Sequence, residues 1–217
     1  MNFEQARFNM VEQQIRTWAV LDQRVLDLLL TVPREEFVPE RFRKLAFSDI
    51  CIPLGHGEVM MPPKVEARLL QALDIQPSDR ILEIGTGSAY LTALLASLGK
   101  RVISVEIEPE FARTAEPKLA ARGIGNVKIE VGDGAYGWER EAPYDVIAVT
   151  GSVPLLTDHF QRQLAIGGRL FVIVGESPVM EARLITRVDD HQWVQESLFE
   201  TDLPALKGAP HPQRFVF

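Results

Sequence analysis

Hydrophobic and polar positions are arranged in three different ways along the 217 residues. Between residues 80 and 175, short apolar runs alternate with stretches of helical period. "RILEIG", "RVISVEI", "VKIEVG", "YDVIAVT" and "RLFVIVG" read as strands, with helices between them at "AYLTALLASLG", "PEFARTAEPKLAARG" and "PLLTDHFQRQLA". Apolar strands joined by helices make a parallel sheet covered on both faces, an α/β fold of the doubly wound kind. The tail departs from this pattern. "ARLITRV", "WVQESLFE" and "QRFVF" follow one another without a helix long enough for a parallel crossover, so they are expected to pair antiparallel at the sheet edge.

The first sixty or so residues are helical and irregular. Phe3, Met10, Val11 and Ile15 recur near helical spacing, and Asp22 is placed to cap "QRVLDLLLTV", which Pro33 ends. "IPLGHGEVMMPP", dense in glycine and proline, reads as an ordered loop leading into the helix "KVEARLLQALDI". The expected organisation is an N-terminal helical cap with its loop over residues 1–63 and an α/β domain over 64–217, together one compact unit.

Composition narrows the function without naming it. At 46% apolar and 24% charged residues the chain is expected to fold. A net charge of −7 without clustered Lys and Arg argues against a dedicated nucleic-acid binder. One cysteine, Cys51, provides neither a disulfide framework nor a thiolate cage for zinc. The start "MNFEQARFNMVEQQ" lacks the basic, then apolar, pattern of a secretory signal, and no run reaches membrane-spanning length, so a cytoplasmic protein with no membrane association is expected.

Candidate chemistry sits at the strand ends. In a doubly wound sheet, ligands settle beyond the carboxyl ends of the strands where strand order reverses. "LEIGTGSAY" ends the first strand, and Gly85 and Gly87 let a ligand approach the backbone; because Ala89 stands where a third glycine would complete the pattern, a close strand-to-helix turn without a ligand explains it nearly as well. Glu106 ends the second strand roughly 20 positions beyond Gly85, where a carboxylate accepts from both ribose hydroxyls; the alternative is an exposed strand-end carboxylate. Asp133, between Gly132 and Gly134, ends the third strand, suited to the exocyclic amine of adenine or to turn geometry alone. His56 lies between glycines, as a substrate contact or a turn residue; Met60 and Met61 read equally as an apolar substrate wall or as cap packing. His159, His191 and His211 form no metal-ligand spacing, so no metal is expected. Cys51 reads as an inert thiol and Ser152 as non-catalytic.

These blocks resemble the protein-L-isoaspartate (D-aspartate) O-methyltransferases, S-adenosylmethionine-dependent enzymes. "VPREEFVPE", "IPLGHGE", "LEIGTGSAY", "VGDGAYGW", "APYDVIAVTGSVP" and "LAIGGRLFVIVG" look like that family's blocks, in its order and spacing. The resemblance implies a seven-stranded, mostly parallel, Rossmann-like sheet with a reversed final hairpin. It implies S-adenosyl-L-methionine as cofactor, S-adenosyl-L-homocysteine as product, and isoaspartyl-containing proteins or peptides as substrates, whose methyl ester collapses to a succinimide and reopens partly to a normal aspartyl linkage. By the same resemblance Gly85 and Gly87 line the methionyl part of the cofactor, Glu106 holds the ribose, Ile107 packs on adenine, Asp133 and Gly134 meet the adenine edge, and Glu83 and Thr150 border the crevice. Glu83 is alternatively an organiser of the turn. One departure stands out: the family's loop typically reads Thr-Ile-Ser, whereas Val59, Met60 and Met61 occupy those positions, and Met61 offers no comparable hydrogen bond. That departure keeps two alternatives open, a methyltransferase acting on another carboxylate or small molecule and a non-catalytic S-adenosylmethionine-binding module.

Overall fold

The computed structural model describes residues 2–212; the expected strand "QRFVF" lies outside them. Seven strands form one sheet: β3 (Arg80–Ile84), β4 (Arg101–Glu106), β5 (Val127–Val131), β6 (Tyr144–Val153), β7 (Leu164–Glu176), β8 (Val179–Asp189) and β9 (Gln192–Thr201). Their order is β5-β4-β3-β6-β7-β8-β9. Strands β3 to β7 run parallel, while β8 and β9 pair antiparallel, as the missing crossover helices required. Strand order reverses around β3, which pairs with β4 on one side and β6 on the other through the same residues, Ile81 facing Val102 and Val146. A crevice therefore opens where β3 ends.

Alternating side chains of each strand enter two different cores. Ile81, Val102, Val146 and Phe171 pack with α3 (Pro63–Leu73), α4 (Tyr90–Leu98), α5 (Pro109–Ala120) and the N-terminal helices. Leu82, Ile103, Ile147 and Leu170 face the other way, against Tyr144, Phe160 and Leu164. Helical cover is thin on this second side, because the helix expected over "PLLTDHFQRQLA" shrinks to α6, His159–Arg162. The residues before it run as a non-helical connection that carries Leu156 onto the core.

The N-terminal region shares the first core. α1 (Phe3–Met10) continues through a π turn at Val11–Ile15, burying Met10, Val11 and Ile15. α2 (Gln23–Thr31) begins where Asp22 accepts from the Arg24 backbone N–H, a conventional N-cap. The Gly- and Pro-rich stretch is more regular than a loop. It is a two-stranded antiparallel hairpin, β1 (Ile52–Gly55) and β2 (Glu58–Met60), whose tip Gly55-His56-Gly57 takes positive φ at all three residues. No helix among the described residues is long and apolar enough to cross a membrane.

Candidate functional site

A cleft of about 840 Å³ lies over the carboxyl ends of β3, β4 and β6 and beneath the hairpin. Its sheet-side wall starts with the turn after β3. Gly85 has φ +96°, and a Cβ there would fall 2.2 Å from Thr150 Oγ1. That hydroxyl donates to the carbonyls of Ile84 and Gly85, both at 2.8 Å, which ties the end of β3 to an irregular stretch of β6. Gly87 has φ +52°, and a Cβ would reach within 3.2 Å of Leu54 on the hairpin. Its hydrogen thus preserves the gap between turn and hairpin. Ala89 takes φ +69° without being glycine, a left-handed cap on α4.

Glu106 is not an exposed strand end. It is 4% exposed, and its two oxygens accept from the backbone N–H groups of Gly87 (2.8 Å) and Glu108 (2.9 Å). Burial raises its carboxyl pKa, against those two hydrogen bonds. Ile107 stays 37% exposed on the rim. Asp133 also lines the cleft, its Oδ1 accepting from Ala135 N–H at 2.9 Å. The neighbouring glycines are small for a different reason than ligand access: a Cβ on Gly132 would strike the Trp138 ring at 2.8 Å, and one on Gly134 would strike Ile84 at 2.9 Å.

Two expected site residues lie off the cleft. Glu83 is fully buried behind the turn, where its Oε2 accepts from Thr92 (2.6 Å) and Ser104 (2.5 Å) while Oε1 has no partner among the described residues. Burial pushes its pKa up to about 8. Two residues before the turn, the Glu83 side chain points away from the cleft, and Ser104 links it to Thr86 of the turn. His56 sits exposed at the hairpin tip, contacts Glu110 at 2.9 Å and stacks edge-on against Phe111. It does not line the cleft.

The opposite wall comes from the cap. Leu54, Val59, Met60 and Met61 line it, the two methionines at 3% and 4% exposure. Beside them is Glu66 of α3, 2% exposed, on Arg34, which is fully buried. Arg34 also donates to the carbonyls of Ala46 (2.8 Å) and Met61 (2.6 Å) and lies over the Tyr90 ring. Burial pushes the Glu66 pKa up to about 7 against the pull of the guanidinium.

Neither Arg34 nor Glu66 was singled out from the sequence, although a signal was present. Glu66, Leu69, Leu70 and Leu73 follow the i, i+3, i+4, i+7 spacing of one buried helix face, so the carboxylate stands in an apolar stripe. A third element was not foreseeable from pattern. Residues Leu203–Lys207 return over β6, where Ser152 exchanges backbone hydrogen bonds with Pro204 and Leu206 and its hydroxyl donates to Leu203 O. Lys207 then bridges Glu58 of the hairpin and Glu108 after β4 and donates to His56 O. Among the described residues no cluster of His, Cys, Asp or Glu could hold a metal.

The family model described as protein-L-isoaspartate (D-aspartate) O-methyltransferase matches residues 5–205. A protein-L-isoaspartate O-methyltransferase 1 of Rhodopseudomonas palustris is 44% identical over 192 residues, 87% of this chain and 78% of that protein. A protein-L-isoaspartate O-methyltransferase of Geobacter metallireducens is 39% identical over 198 residues, 91% and 92% of the two chains. Among solved structures, a protein-L-isoaspartate O-methyltransferase aligns with TM-score 0.80 at 27% identity, covering 93% of this chain and 66% of that one. A putative Plasmodium falciparum enzyme, solved with S-adenosyl-L-homocysteine, shares the fold at TM-score 0.77 and 22% identity, over 95% of this chain and 99% of that one. This chain belongs to the protein-L-isoaspartate (D-aspartate) O-methyltransferase family.

Proposed function

We propose that the protein transfers the methyl group of S-adenosyl-L-methionine to the free carboxylate of L-isoaspartyl residues in damaged proteins, leaving S-adenosyl-L-homocysteine. The observation that carries this reading is the convergence of the Gly85–Gly87 turn, Glu106 and Asp133 on one cleft roofed by the cap, in a chain of this family. The cleft fits the cofactor's parts. Each Glu106 oxygen accepts a single backbone N–H and so retains a lone pair for a ribose hydroxyl. The space that a Gly87 side chain would fill against Leu54 suits the methionyl part. Ile107 offers an apolar face to adenine, Asp133 beside Gly134 offers an acceptor to its edge, and Thr150 borders the crevice by holding the turn.

The bound cofactor supplies an electrophilic methyl group on a positively charged sulfur. A free carboxyl with a pKa of about 4 is already ionised at neutral pH, so the chain need not supply a general base. Its task is alignment, which contributes several kcal/mol when the reacting atoms are held nearly in line. Buried Met60 and Met61 give the acceptor side a dry wall, and the Lys207 strap joins hairpin to sheet across the mouth.

Calorimetric titration with S-adenosyl-L-methionine, followed by S-adenosyl-L-homocysteine release with isoaspartyl and normal aspartyl peptides, tests the proposal. Binding with turnover on the isoaspartyl peptide alone is the expected result. The hydroxyl-free Val59-Met60-Met61 wall favours one second reading, a more apolar carboxylate as acceptor, and turnover on small carboxylic acids but neither peptide would establish it. Failure to bind the cofactor sinks both.

A further inference from the structure

Five cap residues and Glu66 of α3 line this side of the cleft, and they leave little for an acceptor to hydrogen-bond. Leu54, Val59, Met60 and Met61 are apolar, and Glu58 is engaged by Lys207. Glu66 remains. Its Oε2 is held by Arg34, whereas Oε1 has no hydrogen-bond partner among the described residues, and the side chain is part of the cleft wall although 2% exposed. Unlike Glu83 Oε1, this oxygen is not sealed in the core, so a polar atom in the cleft wall is left to bond what enters the cleft. Arg34 fixes its direction, because the same guanidinium is anchored on Ala46 O and Met61 O and stacked on Tyr90.

We infer that Glu66, as the neutral acid, positions the acceptor by donating its proton in a hydrogen bond to the carboxylate oxygen that does not attack. The inference rests on the carboxylate acceptor proposed above. An ionised Glu66 would repel that acceptor; a neutral one supplies the donor that the methionine wall lacks. Burial already brings the group to a pKa of about 7, and an arriving carboxylate adds like charge that raises it further. The proton stays on Glu66 throughout: the attacking oxygen takes the methyl group, the carbon–sulfur electron pair remains on sulfur, and the two opposite charges cancel. The titratable groups around Glu66 are Arg34, Tyr90, Glu83 and Cys51, and Glu83 titrates nearby with a pKa of about 8.

The test is the pH profile of kcat/KM, read as S-adenosyl-L-homocysteine formed from an isoaspartyl peptide. With a pKa of about 7, the neutral fraction of Glu66 falls roughly thirtyfold from pH 6 to pH 8.5, and kcat/KM is expected to follow. In Glu66→Gln the amide still accepts from Arg34 and still donates at any pH, so this alkaline fall should shrink to below about threefold. A second readout needs no turnover: infrared difference spectra of the protein with S-adenosyl-L-homocysteine should gain a protonated-carboxyl band when the peptide is added, and Glu66→Gln should lack it. An active wild type whose alkaline fall persists in Glu66→Gln, or whose band persists there, overturns the inference alone and points to Glu83. A wild type that binds the cofactor but methylates no carboxylate overturns the functional reading, and the inference with it. Glu66→Met is a second variant, expected to lose roughly 10²-fold in kcat/KM if it folds; wild-type rates in it contradict the inference.

Discussion

The two walls of the cleft are built on different principles. On the sheet side, the cleft is lined by backbone groups, glycines and acids at the tips of parallel strands, held by main-chain hydrogen bonds such as Gly87 N–H to Glu106. On the cap side, the wall is made of side chains brought together from the hairpin, α3 and the segment around Arg34, and held by one buried ion pair. The first wall inherits its precision from the sheet register. The second depends on packing between distant segments, with Arg34 tied to Met61 O and to Glu66. Cofactor binding is accordingly expected to be robust to cap substitutions, and acceptor choice sensitive to them.

The largest expected effect comes from breaking the cap wall at its anchor. Arg34→Met removes the partner that holds buried Glu66 and leaves Ala46 O and Met61 O without their donor, so stability should fall by about 3–5 kcal/mol. The shift in denaturant midpoint measures this; a loss under about 1 kcal/mol would show that the pair does not organise the wall. On the sheet side, Glu106→Ala should weaken S-adenosyl-L-methionine binding by roughly 10²-fold, since hydrogen bonds to a charged group are lost together with the tether on Gly87. An unchanged calorimetric affinity would detach Glu106 from the ribose.

Glu83 and Glu66 sharpen the comparison through pH. The folded-state pKa of Glu83, about 8, lies above its ordinary value of 4.5, so the native state holds a proton that the unfolded chain releases. Its contribution is complete below pH 4.5 and disappears as pH rises towards 8, by at most about 1.4 kcal/mol per pH unit. Glu66 acts in the same direction with its midpoint at about pH 7, so between pH 7 and 8 most of the remaining slope belongs to Glu83. Glu83→Gln should flatten unfolding free energy in that interval while leaving the alkaline limb of turnover intact, and a slope equal to wild type would refute the buried-proton assignment. The smallest effect is expected at the strap. Lys207→Ala unlinks hairpin from sheet but removes only partly exposed ion pairs, so cofactor release in stopped-flow should quicken by roughly two- to fivefold.

Much of this molecule was readable from local pattern. The five parallel strands, the Asp22 cap and the antiparallel tail at β8 and β9 all follow from periodicity or from the absence of a crossover helix, signals confined to a few neighbouring residues. α6 was overestimated because "PLLTDHFQRQLA" has apolar spacing compatible with a helix, while in the fold Leu156 reaches the core from a non-helical connection. The hairpin looked like a loop because its glycines announce a turn more loudly than its three-residue second strand announces pairing. His56 and Glu83 each carried two readings in the sequence, and only the fold puts His56 at the hairpin tip on Glu110 and Glu83 behind the turn on Thr92 and Ser104.

Residue order alone settled which strand tips carry the glycine turn and the two acids, because consecutive helical crossovers lay β3, β4 and β5 side by side in parallel with their carboxyl ends at one edge. What the chain order left open was the far wall. Arg34 and Glu66 are 32 positions apart, and Lys207 lies 99 positions from Glu108; such partners meet only when a common core brings them together. Burial then sets their chemistry: in the linear chain Glu66 is an ordinary exposed acid, and only removal from water, against the pull of the neighbouring guanidinium, leaves it a proton to offer near neutral pH.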